Sequence, residues 1–215
     1  MVTTPRKGLP EFWVTSLAKA LSGDQPCVLS TWMQGYFKLA KGAADQASMS
    51  VWRANHSAQL ADAVEKFRAD GWKCSVERYF RVQGQTAIIT GKSDLIIQQT
   101  DKRPRICDVK SGSPRDSDLI QVLVEMIAIP MSWESPHMQF DGEVIYADHS
   151  VLLKPDDALA LRPRLFELLK KLGSIPRPDA SPSESACRFC PVQVADCPDR
   201  MGQTPETAVV HTSLF

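Results

Sequence analysis

Four stretches of the 215-residue chain carry the apolar or alternating pattern that is typical of β-strands. Residues 73–83 alternate apolar and polar side chains, which predicts a strand with one buried face. Residues 88–97 and 105–109 are apolar runs joined by a polar turn, which predicts two adjacent short strands. A further strand is predicted over residues 142–147. The pattern therefore indicates three consecutive strands and a separate fourth strand.

Apolar side chains at three- and four-residue steps predict the helices of this chain. The predicted helices cover residues 9–22, 28–39, 48–70, 116–127 and 155–172, the last of them broken or restarted at Pro163. Through the middle of the chain the order is helix, three strands, helix, strand. This order favours an α/β domain in which helices flank a mixed sheet.

Two acids and a lysine lie within the paired apolar runs. Asp94 is near the middle of the first run, while Asp108 and Lys110 are two residues apart on the second and so share a face. If the strands pair, two carboxylates and an ammonium group converge, which suits a divalent metal bound by oxygen ligands. The alternative is two strand-end acids and a surface lysine. An ionised group in an apolar run is costly unless it is paired or binds metal, which favours the metal site.

These residues also resemble a known family. The segments G-K-S-D-L-I, which contains Asp94, and D-V-K-S-G, which contains Asp108 and Lys110, resemble the D...(D/E)-x-K signature of the PD-(D/E)XK nuclease superfamily. They are similar in particular to the branch of RecB-like nuclease domains and CRISPR-associated Cas-four exonucleases. The resemblance implies a restriction-endonuclease-like fold and a metal-dependent exonuclease that hydrolyses phosphodiesters of single-stranded DNA or DNA ends. It also implies Mg²⁺ or Mn²⁺ as cofactor and work beside the CRISPR integrase proteins in spacer acquisition.

The resemblance assigns roles to individual residues. Lys110 would position the attacking water and offset charge on the phosphate, and Gln121 would help to orient that water. The implied catalytic residues are Lys110, Asp108, Asp94 and Gln121. The implied metal ligands are His56, Asp94, Asp108 and the main-chain carbonyl of Val109.

Two positions depart from the family pattern. Trp52 stands where the family usually has a glycine four residues before the histidine, and Glu125 replaces the tyrosine of the Q-x-x-x-Y motif that begins at Gln121. A carboxylate repels phosphate and offers no ring for a base to stack on. Taken alone, His56 is equally well interpreted as a hydrogen-bonded core histidine. Gln121 and Glu125 are equally well interpreted as an exposed helix face.

Cysteines near the two ends of the chain form a second candidate site. Cys187, Cys190 and Cys197 have a spacing that suits a tetrahedral sulfur site, and Cys27, just before a predicted helix, is the natural fourth ligand. Such a site would staple the N-terminal helices to the C-terminal segment. Spacing alone leaves zinc and an iron-sulfur cluster open. The resemblance to the Cas-four branch implies a 4Fe-4S cluster, although that branch usually has one residue fewer between the last two cysteines.

Composition places few further limits on function. Lysine plus arginine equals aspartate plus glutamate at 25 each, so any phosphate-binding surface must be local. No apolar run reaches the roughly 20 residues of a membrane span, and the N-terminus lacks the apolar core of a signal peptide, which predicts a cytoplasmic protein. Cys74 and Cys107 lie within predicted strands and are interpreted as buried thiols.

We expect a single domain over residues 1–215, with a nuclease core at about 48–150 and a tail at 201–215. The cluster-bearing lobe would combine residues 1–47 and 151–200. The C-terminal residues Ser213, Leu214 and Phe215 resemble the end of the bacterial sliding-clamp peptide, which makes the clamp a candidate partner besides DNA.

Three alternatives stay open at the level of sequence. The first is a phage or recombination-repair nuclease unrelated to CRISPR. The second is a catalytically silent DNA-binding scaffold subunit, for which the departures at Trp52 and Glu125 are the best support. The third is a metal hydrolase that acts on other phosphoesters.

Overall fold

The computed structural model describes residues 4–39, 46–174, 176–188 and 190–202, with the backbone alone at 46–49. The helices are α1 (Val14–Ser22), α2 (Val28–Tyr36), α3 (Gln46–Ala69), α4 (Asp116–Ser132), α5 (Pro155–Gly173) and α6 (Glu184–Arg188). The strands are β1 (Thr4–Pro5), β2 (Glu11–Trp13), β3 (Phe37–Lys38), β4 (Lys73–Gln83), β5 (Ile88–Gln98), β6 (Arg105–Val109), β7 (Asp141–Ile145) and β8 (Ser150–Leu153). No helix in these ranges is long and apolar enough to cross a membrane.

A mixed six-stranded sheet organises the chain around β5. Antiparallel β4 pairs with β5 along its full length. The opposite edge of β5 is shared by two strands, because parallel β2 pairs at residues 88–90 and antiparallel β6 pairs at residues 95–97. Beyond β6, the sheet continues with parallel β7 and antiparallel β8. The predicted α/β fold with a mixed sheet flanked by helices is confirmed.

The shared edge of β5 has a break between its two partner strands. The pairing of β5 with β6 ends at Leu95 and Cys107, so the next residues, Asp94 and Asp108, lie where the two strands separate. The backbone N–H of Val109 donates to Asp94 Oδ2 at 2.9 Å instead of to a strand carbonyl. A strand edge without a neighbour leaves room for side chains to converge, and this break positions the candidate site.

Helices pack against both faces of the sheet. Helix α4 contacts α1, α5 and five strands, and its core side chains Val122, Val124 and Ala128 are fully buried. Helix α3 packs on β4, β5 and β6, where Leu60 and Val64 join a second apolar cluster. The large apolar area removed from water on each face stabilises the layered arrangement.

Three predicted elements differ from the structure. The segment predicted as helix from residue 9 begins with the short strand β2, because Phe12 is buried and the backbone of this segment bonds to the edge of β5. Helix α5 runs through Pro163 without a break, since buried leucines on both sides, including Leu161 and Leu165, fix it to the core. The helix predicted over residues 28–39 ends at Tyr36, after which the short strand β3 begins. Strand β8 was not predicted, because its apolar run is only three residues long.

Candidate active site

A hydrogen-bonded network joins Asp108, Lys110 and Gln121. Lys110 Nζ lies 2.7 Å from Asp108 Oδ2 and donates to Gln121 Oε1 at 3.1 Å. The Gln121 amide in turn donates to Asp108 Oδ1 at 2.8 Å. Asp108 lies on β6 and Lys110 directly follows that strand, so their side chains share one face, and α4, the next element, brings Gln121 to them. Both oxygens of Asp108 therefore face donors of the protein itself.

Burial and mutual contact shift the pKa values of Asp108 and Lys110. Asp108 is 2% exposed, and its burial raises its pKa to about 7, although Lys110 opposes the rise. Burial alone would lower the pKa of Lys110, but the Asp108 carboxylate outweighs it, so the net shift is upward. The lysine is thus held charged beside the acid, and its side chain is still 22% exposed to incoming groups.

Glu125 is a buried carboxylate next to this network. Its side chain is 0% exposed, and Oε1 accepts a hydrogen bond from Gln121 at 3.2 Å. Among the described residues, neither Oε2 nor the buried hydroxyl of Ser93 on β5 has a hydrogen bond of good geometry, although Ser93 lies close enough to oppose the rise in the pKa of Glu125. Burial raises the pKa of Glu125 well above its usual range, and the nearby Asp108 and Asp94 add to the rise.

The exposed-face interpretation of α4 is therefore wrong at two positions. Gln121 and Glu125 are among the buried polar residues of the chain, while the apolar Leu119 and Leu123 are only partly buried. The site uses the buried polar groups to line its wall, and the sequence signal for this was the four-residue spacing of Gln121 and Glu125.

Asp94 has a different environment at the strand break. One of its oxygens accepts from the Val109 backbone, and the other lies 3.6 Å from His56 Nε2. The interaction with Asp94 raises the pKa of His56 above its usual value. The ring of Trp52 stacks on His56 with centroids 5.3 Å apart and an interplanar angle of 11°. The structure thus brings His56, Asp94 and Val109 together, as expected from the sequence.

Asp118 and Tyr146 complete the surroundings and had not been recognised from the sequence. Asp118 lies 3.9 Å from Lys110 Nζ, and the Tyr146 hydroxyl donates to Asp118 at 3.3 Å. Burial raises the pKa of Tyr146 to about 12, and the Asp118 charge adds to the rise. Asp118 lies in the first turn of α4 and Tyr146 directly follows β7, and neither belongs to a recognised motif, so only the fold could place them beside Lys110.

The oxygen donors of the site fit a divalent cation chemically. Asp94, Asp108 and Glu125 supply the carboxylates. The charge of Asp94 raises the pKa of Asp108, both raise the pKa of Glu125, and Lys110 is the lysine among the charged neighbours described for Asp108. Hard carboxylate oxygens are the ligands that Mg²⁺ and Mn²⁺ prefer. Within the described residues, no three His, Cys, Asp or Glu side chains already stand at metal-binding positions. Binding a cation would therefore require the Asp108 contacts with Lys110 or Gln121 to rearrange.

The stability of the metal-free protein is expected to fall as the pH rises from about 4 to about 7. The pKa of Asp108 is raised from 3.8 to about 7 in the folded protein, so the folded state keeps a proton that the unfolded chain loses in this range. The free energy of unfolding can be measured by urea titration in EDTA across the window. The dependence should be weaker in Asp108→Asn, and stability that rises with pH in the wild type would contradict the assignment.

The four predicted cysteine ligands line one small pocket. Cys27 directly precedes α2, while Cys187, Cys190 and Cys197 come from the C-terminal segment. All four are free thiols, and the Cys190 thiol donates to Ser30 Oγ at 3.2 Å across the two ends of the chain.

The thiols of this pocket are close enough to influence one another. Burial raises the pKa of Cys197, and the neighbouring Cys27 and Cys190 contribute to the rise. The structure thus brings together the four thiols that the sequence singled out. Away from the pocket, Cys107 is fully buried and Cys74 is partly buried, in agreement with their interpretation as structural thiols.

The fold is a mixed sheet flanked by helices, and an acidic pair and a lysine meet at the break in its edge. The model of the PD-(D/E)XK nuclease superfamily matches residues 29–197, and the chain belongs to this superfamily. The family assignment supports a metal-dependent nuclease with phosphodiesterase activity on nucleic acid.

The comparisons with curated proteins and with solved structures add no argument to this assignment. No curated protein matches the chain. A solved structure described as "Crystal structure of SSO0001" is similar at 16% sequence identity, with a TM-score of 0.46, over 92% of this chain and 90% of that chain.

Proposed function

We propose that the protein is a metal-dependent deoxyribonuclease that digests DNA from free ends, with single strands as its preferred substrate. The observation that carries this proposal is the buried network in which Asp108 and Gln121 hold the Lys110 ammonium group at the break in the sheet. A lysine fixed and partly exposed at such a point can act on a phosphate that approaches the strand edge.

The metal ligands in this proposal are Asp94, Asp108, the Val109 carbonyl and His56. A bound Mg²⁺ or Mn²⁺ would offset the charge of the scissile phosphate and lower the pKa of a coordinated water. The other proposed roles belong to side chains of the protein. Lys110 holds positive charge toward the reacting phosphate, and Gln121, whose amide is fixed by its hydrogen bonds, orients Lys110 and the attacking water.

Glu125 has a positioning role in this proposal. The Gln121 amide nitrogen uses its two protons on Asp108 and Glu125, which forces its oxygen toward Lys110. The carboxylate that replaces the family tyrosine is therefore turned away from DNA and into the site wall, where it fixes the amide that holds the lysine. Because Glu125 is buried, its carboxylate does not meet an approaching phosphate. This departure from the family pattern is therefore compatible with catalysis.

We propose a 4Fe-4S cluster at Cys27, Cys187, Cys190 and Cys197, as in the Cas-four branch. The four thiols line one pocket, and thiolates are the ligands of such clusters. A zinc ion is the competing occupant, since four thiolates suit it equally. Iron and sulfide analysis of anaerobically purified protein separates the two.

The pathway and protein partners rest on the resemblance alone. Work beside CRISPR integrase proteins in spacer acquisition follows from similarity to the Cas-four branch, while a phage or recombination-repair nuclease has the same site. Genes adjacent to the coding gene distinguish these settings. Residues Ser213, Leu214 and Phe215, the proposed sliding-clamp contact, lie outside the described residues. A pull-down with and without the last five residues tests that contact.

Digestion of linear single-stranded DNA labelled at either end tests the proposed activity. With Mg²⁺ or Mn²⁺, the wild-type protein should shorten the linear strand progressively and leave a closed circular single strand intact, because an exonuclease needs a terminus. The end that loses its label first gives the polarity. Cleavage of the circle would contradict the exonuclease assignment but retain the nuclease, and no cleavage of either strand would favour the scaffold alternative.

A further inference from the structure

Three exposed aromatic side chains, Trp13, Trp52 and Tyr79, lie on elements next to the strand that carries Asp94. Among the described residues, the large exposed aromatic side chains are Trp13, Trp52, Tyr79 and Phe166, between 39% and 57% exposed. Trp52 stacks on His56 beside Asp94. Trp13 and Tyr79 form a pair of their own, with ring centroids 6.2 Å apart. Apolar rings left in water at one place commonly mark a binding surface.

Trp13 lies on β2 and Tyr79 on β4, the strands that pair with the two edges of β5, which carries Asp94. In the sheet, Trp13 pairs with Thr90 and Tyr79 pairs with Lys92 of β5, and the Tyr79 hydroxyl is 2.9 Å from the Thr90 hydroxyl. Thr90, Lys92 and Asp94 alternate along β5 and so share one face. At about 3.3 Å per residue, Asp94 lies roughly 7 to 13 Å along the strand from these rings.

This distance suits a flexible strand that passes from the rings to the reacting phosphate. At the ~3.4 Å rise of each nucleotide in a stacked strand, 7 to 13 Å corresponds to roughly two to four nucleotides. Beside Trp13 there is also an open groove of about 200 Å³, lined by Phe37, Leu39, Thr90 and Arg6. The Arg6 Nε atom is buried there without a hydrogen-bond partner among the described residues.

The charges around the rings complement a phosphodiester backbone. Lys92 contacts Glu77 at 2.6 Å and Arg81 contacts Glu11 at 4.0 Å, but both cations are nearly half exposed. Exposed ion pairs of this kind contribute little stability, so their cations can turn to a phosphate at small cost. Lys92, Arg81 and Arg6 are thus the cations that the phosphates of a strand can reach on this face, and Glu11, the partner of Arg81, also lines the groove.

We propose that Trp13 and Tyr79 form an aromatic platform on which bases of single-stranded DNA stack beside the active site. The inference deepens the proposed nuclease function, because the platform would select unpaired strands. The bases of a duplex are stacked on one another and do not present their faces, whereas an unpaired base has a free face for a ring. Glu125 offers no ring in place of the family tyrosine, and the platform supplies stacking from different elements.

The test compares binding of two strands that differ only in their bases. A short fluorescein-labelled oligothymidine and an abasic strand of the same length are titrated by fluorescence anisotropy in EDTA, so that binding is measured without cleavage. Wild type should bind oligothymidine about tenfold more tightly than the abasic strand, which is ~1.4 kcal/mol and lies within the range for one stacked base. Trp13→Ala and Tyr79→Leu should lose this preference while their affinity for the abasic strand changes less than about twofold.

Matched variants separate stacking from general damage to the protein. Trp13→Phe keeps a ring and should keep most of the preference, and Phe166→Ala, which removes an exposed ring on α5, should keep all of it. Thermal unfolding confirms that each variant is folded. Equal wild-type affinity for both strands, or an unchanged preference in Trp13→Ala and Tyr79→Leu, would overturn the platform.

The outcome is independent of the proposed nuclease activity. A base preference that depends on Trp13 and Tyr79, without any cleavage in Mg²⁺ or Mn²⁺, would support the platform and contradict the nuclease. Cleavage of linear strands without a base preference would support the nuclease and contradict the platform.

Discussion

Lys110→Ala should reduce the rate of DNA cleavage by roughly 10²- to 10³-fold or more, the range measured when one preorganised donor to a transition-state charge is removed. In the structure, Lys110 is the positive group held between Asp108 and Gln121 at the break in the sheet. Alanine removes this charge and leaves the carboxylate without its counter-ion. The rate is measured under single-turnover conditions with Mg²⁺ on linear single-stranded DNA.

Two controls make this result specific. Lys171→Ala removes an exposed lysine near the end of α5 and should leave the rate unchanged. Lys110→Met preserves most of the side-chain volume and should be as inactive as Lys110→Ala, which separates loss of charge from loss of packing. DNA affinity in EDTA should change little in both Lys110 variants. Wild-type rates in either Lys110 variant would refute the role of this lysine.

Cys27→Ser should remove the cluster and lower the thermal midpoint by about 10 °C. Cys27 would close a loop from the start of α2 to the C-terminal cysteines, and a cross-link over a loop longer than 100 residues is worth about 4 to 5 kcal/mol. For a protein of this size, each kcal/mol shifts the midpoint by about 2 to 4 °C. Calorimetry under anaerobic conditions measures the shift, and metal analysis of the same samples measures the cluster.

Cys74→Ser is the matched control for this experiment. Cys74 is a partly buried thiol on β4 outside the cysteine pocket, so its replacement should leave the metal content unchanged. Wild-type protein should contain about four iron and four sulfide per chain if the cluster is 4Fe-4S. One zinc ion per chain would establish the competing site. A wild-type midpoint and metal content in Cys27→Ser would contradict the staple.

The order of elements was predictable because the core strands have strong apolar patterns. Strands β4, β5 and β6 and the long helices α3 and α4 were expected close to where they lie. Strand β2 was not predicted from the sequence, because its three residues are too few for a pattern and their partners on β5 are distant in sequence. The same limit applies to β8, which is largely exposed at the end of the sheet.

The part of the candidate site that lies in a sequence motif could be predicted. The part that depends on tertiary packing could not. Asp94, Asp108 and Lys110 follow from two strands with fixed spacing, and the structure brings them together. The burial of Glu125 was missed because helix periodicity placed the apolar side chains inside, whereas α4 is enclosed on nearly every side. Whether a polar residue faces solvent or a site wall depends on what packs over it.

The pairing of strands that are distant in sequence also affects the order in which the candidate site forms during synthesis. Parallel pairing places β7 next to β6, and the Lys110 amide bonds to the carbonyl of Ile145, so the segment that carries the lysine is fixed only after residue 145 has been synthesised. Strand β2 must also wait for β5, and such long-range pairings form slowly. A nascent chain therefore carries the proposed catalytic residues in an unassembled form, and a fragment that ends before β7 should lack the proposed nuclease activity.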